Sequence, residues 1–456
     1  MINKNDIIEL SITDMTFEGM GVAKYSDDDL SNFVIFIHNA VIGDVADCRI
    51  VKVLKNHAYA IIEKIIKPSD DRIHSACSFF SKCGGCSYQN INYQTELEYK
   101  KNCILHSFKH NYPDYDCDIE DVVPSPSIIG YRNKIQYPLS PEGKFGFYAK
   151  RSHRIVPVDH CNLQDDDFGA IIEAVEKYIK RFGVVPYDET TGKGLLRHLY
   201  LRKAPSTDEI MVCLVATGSN LPHKEQLTSA LSSCKNVKSI FLNINKADTN
   251  VILGKECIPI WGKDEITDEL CGLKFNISPL SFYQINSRQA ETLYNYIVES
   301  GILSNEDILL DICSGIGTIS LIAAKKVKHV FGVEIVGQAV NNAYENATLN
   351  KIENVNFFRC DMKEISTLDS QFKKIGDPTV IIVDPPRKGL SEETIEAVKY
   401  YLPEKFIYIS CNPATQARDI SKLNKDKKLY EINKIKPFDM FPRTGHVESV
   451  ALMSRK

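Results

Sequence analysis

Residues 308–318 read ILLDICSGIGT: an apolar run, a carboxylate at its end, then a glycine-rich turn. The run Ile308–Ile312 predicts a strand, and Gly315–Lys326 predicts the turn leading into a helix. Glycines at such a turn let the backbone come close to a ligand. The same cadence repeats downstream. Val330–Glu334 predicts a second strand ending in a carboxylate, and Gly337–Asn350 a helix. Val355–Cys360 ends at Asp361, Val380–Val383 at Asp384, and Phe406–Ser410 at Cys411. Strands alternating with helices predict an α/β, doubly wound parallel sheet. Such sheets bind ligands at the carboxyl ends of their strands, where the strand order reverses. One polar strand end is routine; five in register mark a site.

The residue types at those ends narrow the chemistry. Glu334 stands 23 residues after Asp311, placed to accept hydrogen bonds from ribose hydroxyls. That pairing suits a dinucleotide or S-adenosylmethionine. The full GxGxxG phosphate fingerprint is absent, and a methyl-donor nucleoside has no pyrophosphate to cradle, which favours S-adenosylmethionine. Helix-on-strand packing is the bland alternative for the glycines. In Asp384-Pro-Pro-Arg-Lys-Gly389 two prolines stiffen the loop that presents the carboxylate. Amino-methylating enzymes place an aromatic after Asp-Pro-Pro, where this chain has Arg387. Ser410-Cys411-Asn412-Pro413 puts a thiol at the next strand end. A thiolate is the natural nucleophile toward a soft, conjugated carbon. Glu448, in Gly445-His-Val-Glu-Ser449, precedes an expected strand Val450–Met453. It can act as general base if the fold brings it to Cys411, which spacing alone does not establish.

Upstream the pattern is more mixed. Tyr93–His110 and Phe168–Phe182 predict helices. Gly194–Arg202, Ile210–Ala216 and Ser239–Asn245 predict strands, and Tyr131–Val158 reads as strand-like with turns. Within residues 1–65, Ile7–Ile12, Phe33–His38, Asp44–Val53 and His57–Ile66 are β-rich. Turn signals separate them at Glu18–Gly21, Ser26–Asp29 and Ile42–Asp44. This predicts a small barrel of the oligonucleotide-binding kind. That part carries six Lys/Arg against ten Asp/Glu, which argues against its being the main phosphate clamp. Two basic stretches lie further on. Arg132–Arg154 interleaves its cations with Tyr131, Tyr137, Phe145, Phe147 and Tyr148. Lys193–Lys203 carries four cations, His198 and no acid. Cations among aromatics suit single-stranded RNA; a solvated face with core aromatics is the alternative.

The chain has 14 cysteines. Cys77-x5-Cys83-Gly-Gly-Cys86 is a three-thiol cluster, and Cys161 is the candidate fourth ligand. Four thiolates suit zinc or an iron–sulfur cluster. Isolated thiols such as Cys48, Cys103, Cys117, Cys213 and Cys257 read as small hydrophobes. A length of 456 residues predicts two to four domains, and the net charge of −4 excludes a basic nucleic-acid coat, so any RNA site is local. MINKNDIIEL lacks the pattern of a secretory signal, and the longest apolar runs fall far short of a membrane span. The expectation is a cytoplasmic protein without membrane attachment.

Together, Ser-Phe-Tyr-Gln-Ile-Asn, Asp-x-x-x-Gly-x-Gly-Thr, Asp-Pro-Pro-Arg-Lys-Gly, Ser-Cys-Asn-Pro and His-Val-Glu-Ser resemble the RNA uracil-5-methyltransferase family. More narrowly the chain resembles its iron–sulfur 23S ribosomal RNA branch with an N-terminal TRAM domain. The resemblance spans almost the whole chain. It implies a TRAM-like barrel over 1–65, a central mixed α+β iron–sulfur and RNA-binding domain over 66–275, and a Rossmann-like methyltransferase domain over 276–456. The helix near 93–120 is implied to pack on that last domain. Cys411 is implied as nucleophile and Glu448 as proton acceptor. Gln284, Glu334 and Asp384 are implied to bind S-adenosylmethionine, joined by the strand-end and loop residues Asp311, Cys313, Gly315 and Asp361. Cys77, Cys83, Cys86 and Cys161 are implied to hold a [4Fe-4S] cluster, structural or RNA-positioning in role. Cys313 stands where the family commonly has an aromatic, so stacking is lost there.

The expected reaction follows from the weak nucleophilicity of uracil carbon 5. Thiolate addition at carbon 6 creates an enolate whose carbon 5 attacks the methyl sulfonium, on a base flipped out of its stack. The expected partner is 23S ribosomal RNA, held by the stretches 131–154 and 193–203, with no obligate protein partner. The alternatives are a tRNA uracil-5-methyltransferase, an amino- or cytosine-methylating enzyme, and a noncatalytic RNA-binding module.

Overall fold

The structure is a computed structural model; it describes all residues except 1, 28–30, 115, 117, 151 and 426. Cys117, Arg151 of the first basic stretch, and Asp28 and Asp29 of the Ser26–Asp29 turn therefore lie outside the described residues.

Ile308–Ile312 is the third of seven strands across the C-terminal sheet. Numbered in chain order, these strands run 3-2-1-4-5-7-6: Val355–Arg359, His329–Glu334, Ile308–Ile312, Val380–Val383, Lys405–Ser410, Glu448–Arg455 and Tyr430–Phe438. The first five named are parallel, and the last two form an antiparallel hairpin. Helices cover both faces, which is why these strands are continuous apolar runs rather than alternating ones. Order reverses between Ile308–Ile312 and Val380–Val383, so Cys313 and Asp384 emerge side by side. Gly317 caps the helix Thr318–Ala324 at φ +83°, and a Cβ there would press on Phe357 and Ala343. The glycine is required both by the turn and by the close approach.

Glu448 lies inside the final strand, which begins two residues before the expected one. Ser410 pairs with Ser449 in an antiparallel ladder, so the register carries Glu448 opposite Cys411.

A central five-stranded sheet runs Glu256–Gly262, Val237–Ile244, Ile210–Ala216, Leu196–Lys203, Lys134–Pro138. The helices Phe168–Phe182 and Lys224–Ser232 share its apolar core. This sheet corrects part of the reading of the basic stretches, that over Leu196–Lys203. Every residue of Leu196–Lys203 is buried. Arg197 donates to the carbonyls of Asn245 (3.0 Å) and Ala247 (2.8 Å), and Arg202 donates to that of Ser281 (2.9 Å). Lys203 forms ion pairs with Asp165, Asp167 and Asp208. Burial holds His198 near a pKa of about 4, hence neutral. Tyr131, Tyr137 and Phe145 are likewise interior. Leu196–Lys203 lies between two other strands, so its cations bond within the protein and do not face RNA, whereas Lys144, Arg154 and Lys193 of the two stretches stay exposed.

The N-terminal sheet has six strands in the order Ile7–Ser11, Val45–Val53, His57–Lys67, Phe33–His38, Gly21–Tyr25, Asp14–Met15, around its own core. The strand Gly21–Tyr25 was not anticipated, because it starts on a glycine that reads as part of a turn. Gly21 is needed there, since a Cβ would meet Ala40 and Ile12.

The helix Tyr93–Asn111 is capped by Asn92, whose side chain accepts from Thr95 N–H. It packs on the C-terminal domain, with Leu97, Ile104 and Phe108 in one apolar layer with Phe406 and Ile420. The chain then continues as single parallel bridges, Ile119 to Ile435 and Val123 to Phe438, at the edge of the seven-stranded sheet. Among the described residues no helix is long and apolar enough to cross a membrane.

Candidate active site

A cleft of about 460 Å³ opens at the carboxyl ends of the parallel strands. Gln284, Cys313, Gly315 and Glu334 line one part, and Asp384, Cys411 and Glu448 another. Glu334 accepts N–H bonds from Gly315 (3.1 Å) and Val336 (2.9 Å), which fix its carboxylate at the lip. Cys313 adopts φ +68° and donates its N–H to the Val333 carbonyl (2.9 Å), turning its side chain into the cleft. The surrounding walls and the Glu334 carboxylate push its thiol up to about 12, so it presents a neutral surface. Gln284 lies by the hydroxyl of Tyr294, and its own carbonyl accepts from Asn133 Nδ2 (2.8 Å).

Two expected residues do not line the cleft. Asp311 is wholly buried beneath it, accepting a hydrogen bond from Ser320 while its other oxygen lacks a partner. Burial raises it to about 7. Asp361 sits at its strand end but caps the short helix Met362–Leu368, accepting from Lys363 N–H (3.1 Å).

The sequence Ser410-Cys-Asn-Pro413 explains how the thiol is held. Asn412 caps the helix Pro413–Leu423, with proline at its first position. The Asn412 amide also donates to the Arg387 carbonyl (3.0 Å), joining the thiol loop to the Asp-Pro-Pro loop. Burial, Glu448 and Asp384 together push the Cys411 thiol up to about 11, while the Arg387 guanidinium acts in the opposite direction. Glu448 rises well above the usual carboxylate range through burial and then Asp384, again opposed by Arg387. Arg387 also lies 3.1 Å from His446 Nε2, and burial holds that imidazole near a pKa of about 4, so it is the acceptor.

Arg387, Tyr294, Phe282 and Phe441 also line the cleft and are among the lining residues not expected from the sequence. Arg387 carried a signal, since it replaces the aromatic expected after Asp-Pro-Pro. Tyr294 carried none, being one aromatic on an amphipathic helix, Ser287–Glu299.

A second cavity, of about 90 Å³, is lined by all four of Cys77, Cys83, Cys86 and Cys161. Gly85 N–H points at Cys83 Sγ (3.4 Å) and Gln89 Nε2 at Cys86 Sγ (3.6 Å). Among the described residues no three His, Cys, Asp or Glu side chains are arranged to hold a metal ion. The four thiols line one space, an all-sulfur donor set, but their arrangement does not by itself support the expected iron–sulfur cluster.

Comparison with known proteins adds to this geometry. Residues 271–456 match the family model described as tRNA (Uracil-5-)-methyltransferase, and residues 3–62 match the TRAM domain. A relative from Clostridium tetani, named an uncharacterized RNA methyltransferase, is 40% identical over 99% of this chain and 97% of its own. One of the same description from Staphylococcus aureus (strain MRSA252) is 40% identical over 100% and 99%. Among solved structures, the Pyrococcus abyssi tRNA (uracil-54, C5)-methyltransferase in complex with S-adenosyl-L-homocysteine superposes with a TM-score of 0.78. It is 28% identical, covering 98% of this chain and 99% of that one.

Proposed function

The chain belongs to the RNA (uracil-5-)-methyltransferase family, with an N-terminal TRAM domain, and on that premise we propose that it transfers a methyl group from S-adenosylmethionine to carbon 5 of a uridine in 23S ribosomal RNA, through a Cys411–uracil adduct. The observation that carries this reading is the opposition of Cys411 and Glu448 across the ladder that pairs Ser410 with Ser449.

Gly315 and Glu334 bind the donor's nucleoside, with Gln284 and Asp384 completing its site. Cys411 loses its proton to solvent, and its sulfur adds to carbon 6. Carbon 5 of the enolate takes the methyl from the sulfonium, leaving S-adenosylhomocysteine. Glu448, as carboxylate, then removes the carbon 5 proton; the carbon 6–sulfur bond breaks and returns the thiolate. Arg387 favours the charged form of both Cys411 and Glu448. A donor of fixed position beside a fixed nucleophile supplies much of the rate through orientation.

Cys77, Cys83, Cys86 and Cys161 would hold a [4Fe-4S] cluster, which when bound supplies a rigid cross-link between the loop 77–86 and Cys161. The protein works in the cytoplasm, where thiols stay reduced. The Pyrococcus relative, named for a tRNA substrate, favours tRNA as a second reading.

The test offers anaerobically purified protein and methyl-labelled S-adenosylmethionine to unmodified 23S ribosomal RNA and to tRNA separately, with Cys411→Ala alongside. Labelled 5-methyluridine in ribosomal RNA, absent with the variant, is the expected result. Label only in tRNA overturns the substrate, and unimpaired label with Cys411→Ala overturns the adduct. Iron and acid-labile sulfide in the purified protein test the cluster.

A further inference from the structure

The loop 439–447 joins the last two strands and delivers Glu448 to the cleft, which its own Phe441 also lines. It has no regular structure to fix it. Instead, four successive carbonyls receive hydrogen bonds from residues far away in sequence. Asn286 Nδ2 donates to Met440 (3.2 Å), Lys100 Nζ to Phe441 (3.2 Å) and the Tyr131 hydroxyl to Pro442 (3.0 Å). The N–H groups of Ser87 (2.9 Å) and Tyr88 (3.2 Å) donate to Arg443.

Lys100 is the hub of this array. It is 1% exposed, and its ammonium also reaches Asp439 Oδ1 (2.6 Å) and Glu96 Oε1 (2.7 Å). All three of its donor positions are thereby used. Asp439 is fixed in turn by the Tyr93 hydroxyl (2.8 Å), and Glu96 accepts from Arg443 N–H (2.7 Å). Asp439 directly follows Phe438, which faces Glu448 in the ladder. Lys100 and Arg443 balance Glu96 and Asp439 in charge. A balanced, buried set of this kind adds little net stability over apolar packing of equal volume. What it adds is direction: one ammonium fixes a side chain at the loop's start and a carbonyl two residues on.

We propose that Lys100 is a positioning residue for methyl transfer, tying the loop 439–447 to the helix Tyr93–Asn111 so that Phe441 and Glu448 hold their places against the reacting base. This rests on the uracil-methylation reading. The same loop takes donors from Ser87 and Tyr88, next to Cys86, so the cysteine loop steadies the same wall.

The test uses the full-length protein. Lys100→Met alone leaves the buried Asp439 carboxylate without a cation, so the working variant is Lys100→Met with Asp439→Asn, which keeps charge balanced and leaves Glu96 with Arg443. Tyr131→Phe, which removes one neutral donor, is the second variant and carries the test should the first not fold. The expected result is a cooperative fold and unchanged S-adenosylmethionine affinity. Alongside these, kcat falls roughly ten- to a hundredfold for the double variant and less for Tyr131→Phe, with faster hydrogen exchange over 440–446 and unchanged exchange over 380–383. A folded variant with wild-type kcat overturns the proposal. So does a reduced kcat with unchanged exchange in the loop, which would mark a general structural effect. Failure of the wild-type protein to methylate any RNA would instead sink the functional reading, while the exchange measurement still reports on the tether.

Discussion

Cys411 and Glu448 are unremarkable one at a time: a thiol at a strand end and a carboxylate 37 residues on. Their chemistry comes from shared burial, which raises both, with Arg387 opposing. Glu448→Gln leaves addition and methyl transfer possible but removes the acceptor for the carbon 5 proton. RNA covalently bound to this variant should therefore accumulate on denaturing gels, and normal turnover would refute the role. Because the Cys411 thiol sits at about 11, the reactive thiolate is a minor species at neutral pH. The rate of adduct formation should then rise with pH from 6 to 9, about tenfold per unit in the limit; a flat profile would contradict the geometry. Asp311 gives the opposite slope in stability. Its folded pKa of about 7 exceeds the unfolded value near 3.8, so the folded state holds the extra proton between them. Its stabilising contribution is complete below 3.8 and is lost as pH rises through about 7. Asp311→Asn should flatten that part of the pH–stability curve, read by denaturant unfolding across the range.

The elements carry this site because their ends are sharp. Strands buried on both faces must be apolar throughout, so Ile308–Ile312 and Val380–Val383 could be bounded from residue type alone. The Asp-Pro-Pro loop is closed at its far end by Gly389, at φ +80°. A Cβ there would press on the Asp419 carboxylate and the Arg418 guanidinium, both of which brace the loop. Gly389→Ala should cost about 1–3 kcal/mol and weaken S-adenosylmethionine binding, measured by thermal unfolding and titration calorimetry; unchanged affinity would show that the loop is not braced from this end. Amphipathic elements were less legible. The helix Ser287–Glu299 and the strand Gly21–Tyr25 lack an apolar run, and only packing against neighbours selects their conformation.

For the whole molecule, the central sheet turns one basic side chain, Arg202, into a fastener to the C-terminal domain. Arg202 reaches from that sheet to the Ser281 carbonyl in the loop before Gln284. Arg202→Met should lower stability by about 1–3 kcal/mol while leaving the salt dependence of RNA binding unchanged, because no phosphate contact is lost. A shallower salt slope would return this strand to the RNA interface. Binding assays across ionic strength decide it.

Apolar runs, strand-end carboxylates and glycine turns are local signals, so the doubly wound sheet and the cleft at its strand ends were legible in the chain itself. Only the tertiary structure decided which of those residues meet. Antiparallel register, not spacing, brings Glu448 to Cys411. Burial, not composition, takes Arg197, Arg202 and Lys203 away from solvent and Asp311 beneath the cleft. Lys100 of the helix Tyr93–Asn111, some 340 residues upstream, bonds to Asp439 and to the Phe441 carbonyl of the loop between the last two strands. The physical reason is range: hydrophobic periodicity is read over a few residues, whereas pairing and electrostatic environment depend on which surfaces the folded chain brings together.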